Sequence, residues 1–146
     1  KQLDFKNARR RTQGLDDMRV ILETPYQGTK KHSVEENIQY ALDCVDHSLK
    51  MNEAPIAFHL IYPRVLDDTK EVEREKGFSM SQKWYKVADK VVVYVDHGIS
   101  DGMRQGIDKA HFLQTPVLMR SLCYEGQGNF RRGGGADWFF TGPTTR

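Results

Sequence analysis

Six consecutive residues, Lys90-Val91-Val92-Val93-Tyr94-Val95, constrain this chain more than any others. An unbroken run of β-branched and aromatic side chains suits a strand covered on both faces, the position of a central strand in a parallel sheet. Parallel strands need long crossovers, usually helical, so the flanking sequence should alternate strand and helix. Residues 19–23 (RVILE) form a short apolar run that stops at Thr24-Pro25-Tyr26-Gln27-Gly28. Ser33 with Glu36 three residues on forms a capping box. Val34, Ile38, Ala41, Leu42, Val45 and Leu49 then recur at helical spacing to about Lys50. Residues 55–62 (PIAFHLIY) read as the second strand. Asp68 or Thr69 opens a helix to about Val87, with Glu71 and Glu73 in its first turn and Val72, Met80, Trp84 and Val87 as its buried stripe. A helix from Asp101 to about Phe112 and a last short strand at 116–119 complete the order β-α-β-α-β-α-β. This predicts an α/β fold, a Rossmann-like three-layer sandwich on a short parallel sheet.

The 146 residues suit one domain. Residues 1–17 read as a polar N-terminal arm, 18–122 as the α/β domain and 123–146 as a C-terminal tail. The tail combines Gly126, Gly128, Gly133, Gly134 and Gly135 with Trp138-Phe139-Phe140. Three consecutive aromatics are rarely left in water, so a contact with a second copy, and hence a homo-oligomer, is expected. A net charge of +2 is too small to argue for nucleic acid. The run Arg9-Arg10-Arg11 has no aromatic interleaved and reads as a solvated arm, so a nucleic-acid partner is not expected. No apolar run approaches a membrane span and no signal peptide is visible, so the expectation is a cytoplasmic protein with no membrane partner. Cys44 and Cys123 share no metal or disulfide spacing, and Cys44 reads as a buried thiol. His32, His47, His97 and His111 show no ligand spacing either. Neither a metal nor a cofactor is expected.

In open α/β sheets ligands bind outside the carboxyl ends of the strands, where strand order reverses. The loops after Glu23, Tyr62 and Val95 meet there by construction. In the first, Tyr26 offers a ring for a base and Gly28 allows close backbone approach; a plain turn would use the same residues. In the third, Gly98, Ser100, Gly102 and Met103 open a helix, whose free N–H groups favour an anion, although Ser100 or Asp101 serving only as a cap fits equally. His59 lies in an apolar strand, within reach of the strand end. The carboxylates Glu23, Asp67, Asp68, Glu73, Glu75, Asp96, Asp101 and Asp108 supply candidates for acid, base or nucleophile.

Several motifs together resemble the nucleoside 2-deoxyribosyltransferase-like superfamily, over roughly residues 18–121. They are Pro25-Tyr26-x-Gly28; Asn37 with Tyr40-Ala41; Ala54-Pro55-x-x-x-His59; Ala88-Asp89-x-Val91-Val92-Val93-Tyr94; and Gly98-Ile99-Ser100-x-Gly102-Met103-x-x-Gly106-Ile107. The likeness is closest to a small phage and bacterial branch. It implies a Rossmann-like fold, a nucleoside or nucleotide ligand and assembly into dimers or larger oligomers. The ligand contacts expected from these strand-end loops are Thr24, Pro25, Tyr26, Gly28, His59, Gly98, Ser100, Gly102 and Met103. Active members of the superfamily cleave or exchange the bond between base and deoxyribose, with a Glu on the helix after the third strand as nucleophile. Aligned on Gly102, that Glu falls at Gly106, and glycine has no side chain to do the work. An enzyme therefore needs a carboxylate from elsewhere. Asp67, Asp68, Glu75, Asp96 and Asp108 are the candidates, with Asp96 and Asp68 ranked first because strand-end loops face the cleft. Two readings follow: a deoxyribosyltransferase-like enzyme or nucleotide N-glycosidase, or a non-catalytic sponge that sequesters a nucleotide signal such as a cyclic ADP-ribose.

Overall fold

The computed structural model describes residues 18–122, 130–132 and 137–140. The strands are β1 (Arg19–Glu23), β2 (Ala54–Ile56), β3 (Lys90–Tyr94), β4 (Val117–Arg120), β5 (Phe130–Arg132) and β6 (Asp137–Phe140). Helices α1 (Val34–Lys50), α2 (Glu71–Gln82) and α3 (Asp101–Phe112) connect the first four. The sheet order is β2-β1-β3-β4-β6-β5. The first four strands are parallel, and β6 and β5 extend that sheet as an antiparallel pair. The 1–17 arm with Arg9–Arg11, and the side chains of Trp138, Phe139 and Phe140, lie outside the described part of the structure.

β3 is buried at every residue, as its composition requires. Side chains alternate across the sheet, so the strands feed two separate cores. Val20, Leu22, Val92 and Tyr94 pack with Tyr40 and Cys44 of α1. Ile21, Val91 and Val93 pack on the other face with Tyr85 and with Met103 and Ala110 of α3. The result is the three-layer α/β sandwich the alternation predicts. The chain steps from β1 out to β2, then back across β1 to β3, so strand order reverses between β1 and β3. The carboxyl ends of those two strands form the crevice.

Around residues 54–70 the structure departs from the expected elements. The second strand is only Ala54–Ile56, and the apolar run continues as two 3-10 turns, Phe58–Leu60 and Tyr62–Arg64. A short apolar run has no period that separates strand from helix. Here Phe58 and Tyr62 sit four apart and bring their rings to 5.3 Å. His59 therefore belongs to a turn, not a strand. Neither Asp68 nor Thr69 caps α2. Asp67 accepts bonds from the Thr69 backbone N–H (3.1 Å) and hydroxyl (2.6 Å), and the helix starts after Lys70. The expected stripe on α2 is also displaced: Val72, Trp84 and Val87 are exposed, whereas Tyr85 is buried. After Gln82 the helix tightens into a 3-10 turn, Lys83–Lys86, which advances each side chain by more than an α-helical step. Tyr85, rather than Trp84, is thereby brought into the core.

Beside the α1 core, Glu53 receives Arg120 (2.8 and 3.1 Å), Lys90 (2.5 Å) and the Ser48 hydroxyl (2.6 Å). Burial raises this carboxyl's pKa, but the bonds from Arg120, Lys90 and Ser48 outweigh it and hold the value at about 2.

Candidate functional site

A cavity of about 530 Å³ opens at the strand reversal, within the range of small-molecule sites. Tyr26, Phe58, Tyr62 and Phe78 supply flat aromatic walls, and Leu66, Ile99 and Met103 supply further apolar surface. Polar groups sit among them. Gln27 donates to Asp68 (3.2 Å), and the Arg74 guanidinium stands 4.0 Å from the same carboxylate. Arg74 also lies over the Phe78 ring.

Glu23, the last residue of β1, reaches this cavity. It shares a sheet face with Ile21, Val91 and Val93, and so points toward α3. Its Oε1 accepts a hydrogen bond from the Tyr85 hydroxyl. Among the described residues Oε2 has no hydrogen-bond partner, yet no buried side-chain polar atom is left unsatisfied, so Oε2 faces the open cavity. Burial pushes the carboxyl up to about 7, partly opposed by the Tyr85 bond. Burial also raises the Tyr85 phenol, helped by the neighbouring carboxylate. Beside them, Gly106 of α3 leaves room: a Cβ there would overlap the Glu23 carboxylate and stand 2.7 Å from the Tyr85 oxygen.

A second polar pair closes the cavity beside β1. Thr24 Oγ1 and His59 Nε2 lie 2.6 Å apart. Burial lowers the His59 pKa to about 4, so the imidazole is neutral at pH 7. The buried Asn37 of α1 ties two loops together. Its amide donates to the Gln27 carbonyl (2.9 Å), and its Oδ1 accepts from His97 Nδ1 (3.0 Å). His97 is sandwiched between the rings of His32 (3.8 Å) and Tyr40 (4.0 Å).

Of the residues expected at the site, Thr24, Tyr26, Gly28, His59, Asp68, Ser100, Gly102 and Met103 line the cavity. Pro25 and Gly98 are not among its lining residues; Gly98 makes the turn before α3 at φ +81°. Ser100 is the α3 cap, accepting from Met103 N at 3.2 Å. Asp96 is directed elsewhere. It follows Tyr94 onto the α1 face, where its oxygens accept from Tyr40 (2.6 Å), Leu122 N (3.0 Å) and the Ser121 hydroxyl. Glu75 and Asp108 are exposed and do not line the cavity. Glu23, which the sequence reading left outside its ranked carboxylates, lines the cavity. The available signal was parity: an acidic residue two positions from the buried Ile21 shares its sheet face. No group of three or more His, Cys, Asp or Glu among the described residues could hold a metal ion. No helix among them is long and apolar enough to cross a membrane.

The fold is a Rossmann-like α/β sandwich that other solved proteins share. Among solved structures it is similar to a 2-deoxyribosyltransferase from the psychrotolerant bacterium Bacillus psychrosaccharolyticus. The TM-score is 0.57 at 14% identity, over 75% of this chain and 77% of that one. Residues 18–120 match the profile of DUF7768, described as a domain of unknown function, and the chain belongs to that family. No curated protein matches it significantly in sequence.

Proposed function

We propose that this protein binds a nucleoside or nucleotide at the reversal between β1 and β3 and acts on its N-glycosidic bond. One observation carries the reading: an aromatic-walled cavity at the carboxyl ends of the central strands encloses a single desolvated carboxylate. Flat rings suit a base on both faces. The structural neighbour, itself a 2-deoxyribosyltransferase, supports a nucleoside as the ligand class. In the reaction the C1′–N bond breaks with its electron pair going to the base, which takes up a proton. C1′ gains an oxygen from water, or a nitrogen from a second base. Positive charge develops at C1′, and a carboxylate in a dry site stabilises it far better than in water. Tyr26 and Phe78 hold the base, Asp68 and Gln27 meet polar groups at the rim, and the neutral His59 with Thr24 offers hydrogen bonds to sugar hydroxyls.

Self-association belongs to the same proposal. Val65, Val72 and Phe112 are each about 80% exposed, separate apolar side chains of the kind that contact with a second copy would cover. Light scattering of the full chain tests it: a strictly monomeric mass is the adverse result.

The chemistry is tested by incubating the protein with ribo- and deoxyribonucleosides and their 5′-monophosphates and measuring free base. Release above the no-protein control is expected for at least one compound. Intact recovery of a tightly held ligand from every incubation would instead favour sequestration.

A further inference from the structure

Gly106 sits in the middle of α3, where glycine is a poor choice. In a helix interior it is less favourable than alanine, and this one is buried. What an alanine would meet there is specific: the Glu23 carboxylate, the Tyr85 hydroxyl at 2.7 Å and Glu23 Cδ at 2.8 Å. The end of β1, the 3-10 turn after α2 and the middle of α3 thus converge on one carboxyl group. Tyr85 fixes Oε1, and only Oε2 is left to meet a ligand.

We propose that Glu23 is the carboxylate that meets the anomeric carbon of the bound sugar, delivered from β1 and admitted by the missing side chain at Gly106. The inference rests on the nucleoside reading above and names the group that serves it. A helix residue at 106 and a strand residue at 23 point into the same space from opposite sides, so a carboxylate can be supplied from either, but not from both. Tyr85 is the positioning residue. With one oxygen held by Tyr85, the group offers a single atom to one carbon centre rather than a two-point contact to a base edge. Desolvation adds a second argument. A carboxylate that burial holds close to neutrality in the free protein gains most when positive charge appears beside it. That gain arises in the transition state and not in the ground state, which is the condition for catalysis.

The test uses the full chain, the nucleoside and nucleotide panel, and two readouts. One is free base. The other is the carboxyl 13C spectrum of protein labelled at glutamate Cδ. One resonance is expected to titrate well above the others, to be missing in Glu23→Gln and to shift when a nucleoside is added. Glu23→Gln keeps an acceptor for Tyr85 and is expected to lower base release at least about a hundredfold, with nucleoside affinity largely intact. Glu23→Asp withdraws the carboxylate by one methylene and should lose most of the turnover while keeping the charge. Gly106→Ala should displace the resonance and lower kcat more than it raises KM. Base release that persists undiminished in Glu23→Gln overturns this assignment and leaves the glycosidic reading intact. No release by the native chain, with the Glu23 resonance still shifting on nucleoside addition, overturns the glycosidic reading and upholds Glu23 at the sugar. A Glu23 resonance indifferent to every compound overturns the inference whatever the base assay shows.

Discussion

Replacing Gly106 with alanine separates a space-filling role from ordinary helix preference. In open space the change would stabilise the helix interior by about 1 kcal/mol. Here the new Cβ overlaps the Glu23 carboxylate and crowds the Tyr85 oxygen. The backbone of α3 is packed on β3 and β4, so the carboxylate must move. Its swing breaks the Tyr85 bond and leaves the buried phenol without its partner, at a cost of about 1–3 kcal/mol. Forced repacking adds a similar amount. After the helix gain is credited, Gly106→Ala should destabilise the native chain by about 1–5 kcal/mol. In a Glu23→Ala/Tyr85→Phe background the three atoms nearest that Cβ are gone, so the same change should stabilise by about 1 kcal/mol. The coupling is then about 2–6 kcal/mol, well above the scatter of independent sites. Urea unfolding followed by circular dichroism measures it, provided m is constant across the four proteins. Equal stabilisation in both backgrounds would refute the reasoning, because it would mean that Gly106 makes no room for anything.

Further outcomes follow from the same geometry. Glu23 is protonated more readily folded than unfolded, its carboxyl rising from 4.5 to about 7. Its contribution to stability is therefore full below pH 4.5 and is lost as pH rises through 7. Relative to Glu23→Gln, the native chain should lose up to about 3 kcal/mol across that window. A flat difference between the two pH-stability curves would count against burial of the group. Glu53 behaves in the opposite sense, since its pairing holds it at about 2; the stability it supplies is present above pH 4.5 and lost as pH falls through 2. Arg120→Met removes two bonds to Glu53 and leaves Lys90 and Ser48 as its partners, and should cost about 1–3 kcal/mol in chemical denaturation; no measurable loss would contradict it. Asn37→Ala frees the Gln27 carbonyl and His97, and should cost about 1–3 kcal/mol. It should also weaken nucleoside binding in calorimetry, because Gln27 and the segment after His97 both line the cavity; unchanged affinity would mean that the two loops hold their places without the clip.

The local grammar of the chain was enough for the layered fold. Val91, Val92 and Val93 can be buried on both faces only in a central strand. The Ser33–Glu36 capping box starts α1 as its residues require. Alternation of strands and helices then leaves the crevice at the ends of β1 and β3, where most of the expected ligand residues stand. Local pattern failed where two geometries suit the same letters. Residues 57–62 are apolar without a period, and contacts with the rest of the core turned them into 3-10 turns. Residues 83–86 tightened the end of α2 and exchanged Trp84 for Tyr85. The carboxylates were harder still. Asp96 and Glu23 both end central strands, and sequence alone ranked only the first. Sheet parity in the tertiary structure sets their surroundings: Asp96 turns to Tyr40 on the α1 face, and Glu23 turns to Tyr85 and α3. Gly106 carried no signal of its own in the sequence beyond an absence. Only packing β1 against α3 gives that absence a meaning, because the volume a side chain at 106 would fill is occupied by a carboxylate from a distant part of the chain.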